Sequence, residues 1–135
     1  MNIGQAASLS GVSAKTIRHY ESIGLLSPAG RTASGYRIYD ESSVHTLRFI
    51  RRARRLDFPL ERVRKLLALW QDQSRASSEV HRIALSQLTE LRERAEALDE
   101  MIRTLQRLVD DCRDDDWPEC PILDDLAEAP PAPST

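Results

Sequence analysis

The chain is short of cysteine and aromatics and has no long apolar run, and each shortage closes off a class of protein. No stretch approaches the ~18 residues of a membrane-crossing helix, so no membrane partner is expected. The opening Met1-Asn2-Ile3-Gly4-Gln5 lacks the basic and apolar character of a secretory signal, which predicts a cytoplasmic protein. With only two cysteines, Cys112 and Cys120, there is no disulfide framework and no four-thiolate iron–sulfur or structural zinc set. Aromatic residues make up 5% and charged residues 30%, a pairing that favours long solvated helices over sheet. No phosphate-cradling glycine loop, nucleophile–base pair or open catalytic metal triad is visible, so an enzyme is not expected. The histidines at 19, 45 and 81 are scattered, and His19 and His45 read most simply as surface or packing residues.

The net charge of −2 hides an asymmetry. Residues 1–70 carry 12 Lys/Arg against 5 Asp/Glu, a formal +7, and residues 71–135 carry 7 against 16, a formal −9. A basic head on an acidic tail fits a polyanion partner for the head alone, although charge by itself fits two solvated faces equally well.

Within the head, Ile3, Ala6, Ala7 and Leu9 give a first helix an apolar face, and Gly11 breaks it. Ser13 is placed to cap a second helix bearing Lys15, Thr16, Ile17, Arg18 and Tyr20. A helix, a glycine turn and a polar, basic helix suggest helix-turn-helix, a pattern that other helical hairpins share. Pro28, Gly30 and Gly35 then punctuate turns, and Tyr36-Arg37-Ile38 alternates as a short strand does. A two-stranded wing there would set Arg31 and Arg37 along a phosphate backbone. Asp40 or Ser42 can cap a third helix reaching about Leu56, in which Val44, Leu47, Ile50 and Ala53 or Arg54 keep helical spacing. Its end, Arg51-Arg52-Ala53-Arg54-Arg55, suits the helix dipole, but holds more cations than a cap needs. Pro59 opens a fourth helix with Leu60, Val63, Leu66, Leu67 and Trp70 on its buried face.

The most regular feature follows. Ala84, Leu88, Leu91, Ala95, Leu98, Ile102, Leu105 and Val109 alternate gaps of four and three, a heptad seam in a stretch, 76–111, free of Gly and Pro. So narrow an apolar stripe predicts a coiled coil between two copies of the chain, because a helix of ~50 Å would overrun a head of ~70 residues. Extended backward, the seam meets His81 and Ser77; extended forward, it meets Cys112. It permits a parallel or an antiparallel pair. Only the antiparallel one brings Ser77 and His81 of one subunit to Cys112 of the other. Asp110, Asp111, Asp114, Asp115 and Asp116 surround Cys112, Pro118 and Pro121 stiffen the stretch around Cys120, and Ile122, Leu123 and Leu126 suggest a short amphipathic turn.

Two thiolates are soft donors. With no third thiolate and no loop histidine, they suit a two-coordinate monovalent ion: Cu(I), Ag(I) or Au(I). Such a site carries a net −1, which His81, Ser77 and loop N–H groups could offset. Incidental thiols and a regulatory disulfide are the competing readings. The chain thus divides into a winged helix-turn-helix head (1–70), a dimerisation helix (71–111), a metal-binding loop with a short helix (112–126) and a Pro/Ala-rich tail expected to be disordered (127–135).

These residues together resemble the MerR family of transcription regulators. The resemblance is carried by Asn2-Ile3-Gly4, by Gly11-Val12-Ser13-Ala14-Lys15-Thr16-Ile17-Arg18-His19-Tyr20-Glu21, by Gly24-Leu25, and by Arg31 with Gly35-Tyr36-Arg37-Ile38-Tyr39. The segment from Cys112 to Leu123 is similar to the copper-efflux regulator branch, whose loop cysteines bind a monovalent coinage metal. Divalent-metal branches carry a cysteine where this chain has Ser77. The chain departs from the copper branch at His81, where a lysine is usual, and at Arg113 and Pro118. A histidine is only partly charged near neutral pH, which would make charge compensation pH-dependent.

The resemblance implies a mainly α fold, a winged helix-turn-helix head followed by a long antiparallel dimerisation coiled coil and a C-terminal metal loop. It implies a homodimer on a promoter with an overlong spacer, where the metal-bound form bends and undertwists the DNA so that RNA polymerase engages both elements. By position, Lys15, Thr16 and Arg18 fall on the recognition helix, with Arg18 nearest the bases, and Tyr20, Arg31, Tyr36, Arg37 and Arg54 contact phosphates. The alternatives are a related regulator sensing a divalent metal, an oxidant or a small hydrophobic ligand, and a coiled-coil adaptor that does not bind DNA.

Overall fold

The computed structural model describes residues 1–72, 74, 76–112 and 119–128. Its elements run α1 (Ile3–Ser10), α2 (Ala14–Ser22), β1 (Gly30–Arg31), β2 (Arg37–Ile38), α3 (Glu41–Arg55), α4 (Leu60–Gln71), α5 (Ser77–Asp111) and α6 (Pro121–Leu126). Met1–Leu85 forms one compact unit, and a second begins at Ser86.

Local chemistry sets the helix ends. Asn2 and Gln5 close a reciprocal capping box at the start of α1: Gln5 N–H donates to Asn2 Oδ1 at 2.8 Å, and Asn2 N–H donates to Gln5 Oε1 at 2.9 Å. Gly11 stops the helix in the left-handed region at φ 74°, which glycine enters without the Cβ penalty. Ser13 then starts α2 by accepting the Thr16 N–H at 3.1 Å, and Asp40 starts α3 by accepting the Ser43 N–H at 2.9 Å. Pro59 occupies the N-cap of α4, one residue before its first helical position. The α3–α4 connection turns at Asp57, whose φ of 64° puts a non-glycine residue in the left-handed region.

The core sits where α1, α2, α3 and α4 meet. Ala6, Ile17, Leu47, Ile50 and Val63 have no exposed surface, and Tyr39 at the base of the wing is 1% exposed. Ile83 of α5 packs against the same cluster, so the first turns of α5 belong to the head's compact unit. Arg48 clamps α3 to α1 by donating to the Leu9 carbonyl at 2.9 and 3.2 Å. Arg64 reaches from α4 to the Ile23 carbonyl at 2.6 Å. On α4 the expected buried face holds at Val63 and Leu67, but Trp70 is 42% exposed. Its indole stacks on Phe49 of α3 with ring centroids 4.6 Å apart, because α4 has reached the rim of the core by its last turn.

The wing is a two-stranded antiparallel ribbon in which Gly30 pairs with Ile38 and Arg31 with Arg37. Beyond the head, α5 is a single helix of 35 residues, ~52 Å at 1.5 Å per residue. The seam predicted along it is open to solvent in the single chain: Leu98 is 57% exposed, Ile102 63% and Leu105 55%.

Candidate nucleic-acid interface and thiol pair

On α2 the helical period sends Ile17 and Tyr20 into the core and leaves Lys15, Arg18 and His19 on the surface. Two hollows flank this helix. The first, of about 430 Å³, is lined by Asn2, Ile3, Arg18, Thr32, Tyr36 and Arg37. It unites three residues expected to meet DNA, Arg18 from the helix and Tyr36 and Arg37 from the wing. Tyr36 is 75% exposed, an aromatic surface standing free on the wing. The second, of about 320 Å³, lies over the start of α2 and is lined by Gly11, Val12, Ser13, Thr16, Tyr20, Arg51, Arg54 and Arg55. Here the α2 N-terminus and a cluster of guanidinium groups face one space, an arrangement suited to a phosphate oxygen.

The remaining expected contacts are placed less openly. Lys15 lines neither hollow, though it is exposed on α2. Thr16 is half-buried, and its Oγ1 accepts the Ser13 hydroxyl at 2.8 Å. Tyr20 is part of the core and also lines the second hollow. Arg31 donates to the Gly35 carbonyl at 3.2 Å, bracing the wing turn. Arg54 donates to the Phe58 carbonyl at 2.6 Å, so it also caps the α3–α4 connection. Arg37 Nε lies 2.6 Å from Glu21 Oε2, an ion pair on the inner side of its guanidinium.

Of the arginine run, only Arg54 is expected from the sequence to contact phosphate. The structure adds Arg51 and Arg55 to the hollow and sends Arg52 to a separate apolar hollow beside His45, Phe49 and Trp70. Helical spacing could have found this: Arg51, Arg54 and Arg55 share a face at i, i+3, i+4 and Arg52 does not. Glu21 was not anticipated, since nothing local in the sequence signals its role.

At the far end of α5, Cys112 follows the last helical residue, its N–H donating to the Val109 carbonyl at 3.2 Å. Cys120 is the N-cap residue of α6, and the two Sγ atoms are 3.9 Å apart. Both thiols are half-buried. Cys120 closes no capping hydrogen bond, yet the Leu123 backbone N–H is the main influence drawing its thiol below the ordinary range. The Cys112 thiol and the Ile122 N–H add to this, against partial desolvation and the Asp124 charge. Among the described residues no group of three or more His, Cys, Asp or Glu is positioned to hold a metal. Ser77 and His81 are exposed in the first two turns of α5. Arg113, Asp114, Asp115, Asp116, Pro118 and the tail from 129 lie outside the described residues, so the expectations about them are untouched. No described helix is long and apolar enough to cross a membrane.

Comparison with known proteins identifies the family. Residues 1–70 match the model of the MerR HTH family regulatory proteins, and residues 44–108 match the MerR DNA-binding model. The chain is 55% identical over 128 residues to the HTH-type transcriptional regulator HmrR of Sinorhizobium medicae, covering 95% of this chain and 87% of that one. It is 36% identical over 127 residues to the HTH-type transcriptional regulator CueR of Escherichia coli, covering 94% of each. Among solved structures it resembles the transcription regulator PbrR691 of Ralstonia metallidurans in complex with lead(II), with a TM-score of 0.81 and 32% identity over 93% of this chain and 98% of that one. The chain belongs to the MerR family of helix-turn-helix regulatory proteins.

Proposed function

We propose that this regulator binds promoter DNA as a homodimer and activates transcription of coinage-metal resistance or efflux genes when Cys112 and Cys120 hold Cu(I), Ag(I) or Au(I). The observation that carries the metal reading is the 3.9 Å approach of two thiols that close the end of α5 and open α6. Two thiols at this separation would both be available as ligands to one ion. The donor set supports a low coordination number, since the sequence offers no third cysteine, and no histidine in the loop between the two. Soft thiolates favour soft d10 ions. Bound there, the ion would link the end of α5 to α6.

The exposed seam supports the dimer: Leu98, Ile102 and Leu105 leave an apolar stripe that a second copy would cover. In an antiparallel pair, Ser77 and His81 of one subunit lie beside Cys112 of the other and help offset the charge of two thiolates. On the DNA, Lys15, Thr16 and Arg18 lie in the major groove, and Tyr20, Arg31, Tyr36, Arg37 and Arg54 hold the backbone. The loaded dimer distorts the promoter so that RNA polymerase engages it.

A divalent ion is the second reading. The solved relative holds lead(II), and a sulfur separation of 3.9 Å also fits the ~3.8 Å of two tetrahedral thiolates. In vitro transcription with Cu(I), Ag(I), Au(I), Zn(II), Pb(II) and Hg(II) separates the two. Cys112→Ser and Cys120→Ser are each expected to abolish induction while leaving DNA binding intact. Activation by Zn(II) or Pb(II) with no response to the monovalent ions would sink the leading reading.

A further inference from the structure

One acidic side chain sits among the cations of the head and is hidden from solvent. Glu21 lies in the last turn of α2, and its side chain is 8% exposed. Its two oxygens take different partners. Oε1 accepts the Tyr39 hydroxyl, and Oε2 lies 2.6 Å from Arg37 Nε. The Arg37 contact is coulombic, since Nε has no aligned hydrogen-bond acceptor. Tyr39 is itself fixed: its ring is 1% exposed, its N–H donates to the Met1 carbonyl at 2.8 Å, and its carbonyl accepts the Met1 amine at 2.7 Å. Rigidity therefore passes from the core through Tyr39 to the carboxylate, and from the carboxylate to a wing arginine.

We propose that Glu21 is a positioning residue for DNA binding, joining the recognition helix α2 to wing strand β2 so that Arg37 and Arg18 address the nucleic acid as one unit. The inference rests on the reading of Arg37 as a phosphate contact. A guanidinium has five N–H donors in a planar fork. Engaging Nε inward leaves both terminal nitrogens for a phosphate, and the Arg37 side chain is 36% exposed on the hollow it shares with Arg18. A carboxylate beside a DNA-facing cation lowers the long-range attraction to a polyanion. Simple charge balance and positioning therefore predict opposite effects of removing it.

The test compares the full chain with Glu21→Gln, Arg37→Ala and the double variant on a duplex selected by the wild-type protein, titrated across a salt series. Loss of one phosphate contact lowers the slope of log K against log[salt] by about 0.9, and a homodimer loses the contact twice, so the slope falls by about 1.8 and affinity at 0.1 M salt by about sixty-fold. Positioning predicts that loss for Glu21→Gln and for Arg37→Ala, with no further loss in the double variant. If Glu21→Gln does not fold, Tyr39→Phe, which removes one anchor of the carboxylate, is read instead and is expected to lower the slope by a smaller amount. Tighter binding by Glu21→Gln, or a lower melting temperature with an unchanged slope, overturns the proposal. An unchanged slope for Arg37→Ala overturns the phosphate reading of the wing on which it rests.

Discussion

Replacing Leu98 by Ala tests the proposed dimer most directly, because Leu98 is near the midpoint of the seam and meets the partner in either orientation. The change removes three carbon groups worth about 0.8 kcal/mol each when fully buried, or about 2.4 kcal/mol per side chain. In the single chain Leu98 is already partly covered and 57% exposed, so only that fraction is available for burial between subunits. The loss is then about 1.4 kcal/mol per copy and about 2.7 kcal/mol per dimer, since a symmetric interface contains the residue twice. That corresponds to an increase of about a hundred-fold in the dimer dissociation constant. Sedimentation equilibrium over a concentration series measures it, with Glu96→Ala, an exposed change off the seam, as the control. Circular dichroism checks that helix content at saturating concentration is retained. A Leu98→Ala chain that associates as tightly as the control would refute the seam as the interface.

Three further outcomes are expected. Leu47→Ala opens a void at a position with no exposed surface and should cost about 2–5 kcal/mol in denaturant unfolding, against a much smaller loss for Leu9→Ala, where the side chain is 52% exposed. Gly11→Ala forces a non-glycine residue to φ 74° and sets its Cβ 2.9 Å from Arg51 Cζ, so it should lose about 1–2 kcal/mol of stability and push Arg51 from the second hollow, weakening DNA binding; unchanged stability would count against the left-handed cap. Burial, then the Glu21 hydrogen bond and charge, push the Tyr39 phenol up to about 12. Its unfolded value is about 10, so this group's contribution to stability is complete below pH ~10 and is lost as pH rises from there to about 12. A phenolate absorbance titration should show one late step that Glu21→Gln moves earlier, and completion of all steps by pH ~11 would contradict it.

The helical architecture was legible because its signals are local. Ser13 and Asp40 each bond an amide three residues on, Gly11 ends a helix by its own backbone freedom, and Val44, Leu47, Ile50 and Ala53 repeat at the period of one turn. The wing was legible from its turn glycine and the alternation at Tyr36, Arg37 and Ile38. Less was visible where distant segments meet. Trp70 kept the period of a buried face but stands at the rim, and only the packing of α4 on α3 shows its stacking on Phe49. Asp57 turns the chain in a conformation usually left to glycine, held by the Phe58 N–H bond to the Ala53 carbonyl at 3.1 Å. The arginines of α3 look equivalent as a run, although their helical spacing already sets Arg51, Arg54 and Arg55 apart from Arg52, and only the packing shows which hollow each group lines.

The sequence by itself determined which segments are helices, where they stop, which face of the long helix is apolar and which residue types are available for chemistry. Those properties arise from interactions within a few residues, where chain connectivity already sets the distance. Only the tertiary structure decided that Glu21, Tyr39 and Arg37 form one connected group and that the two thiols come within 3.9 Å. Those placements depend on how separate segments pack, and packing distances are not encoded in any single stretch of chain.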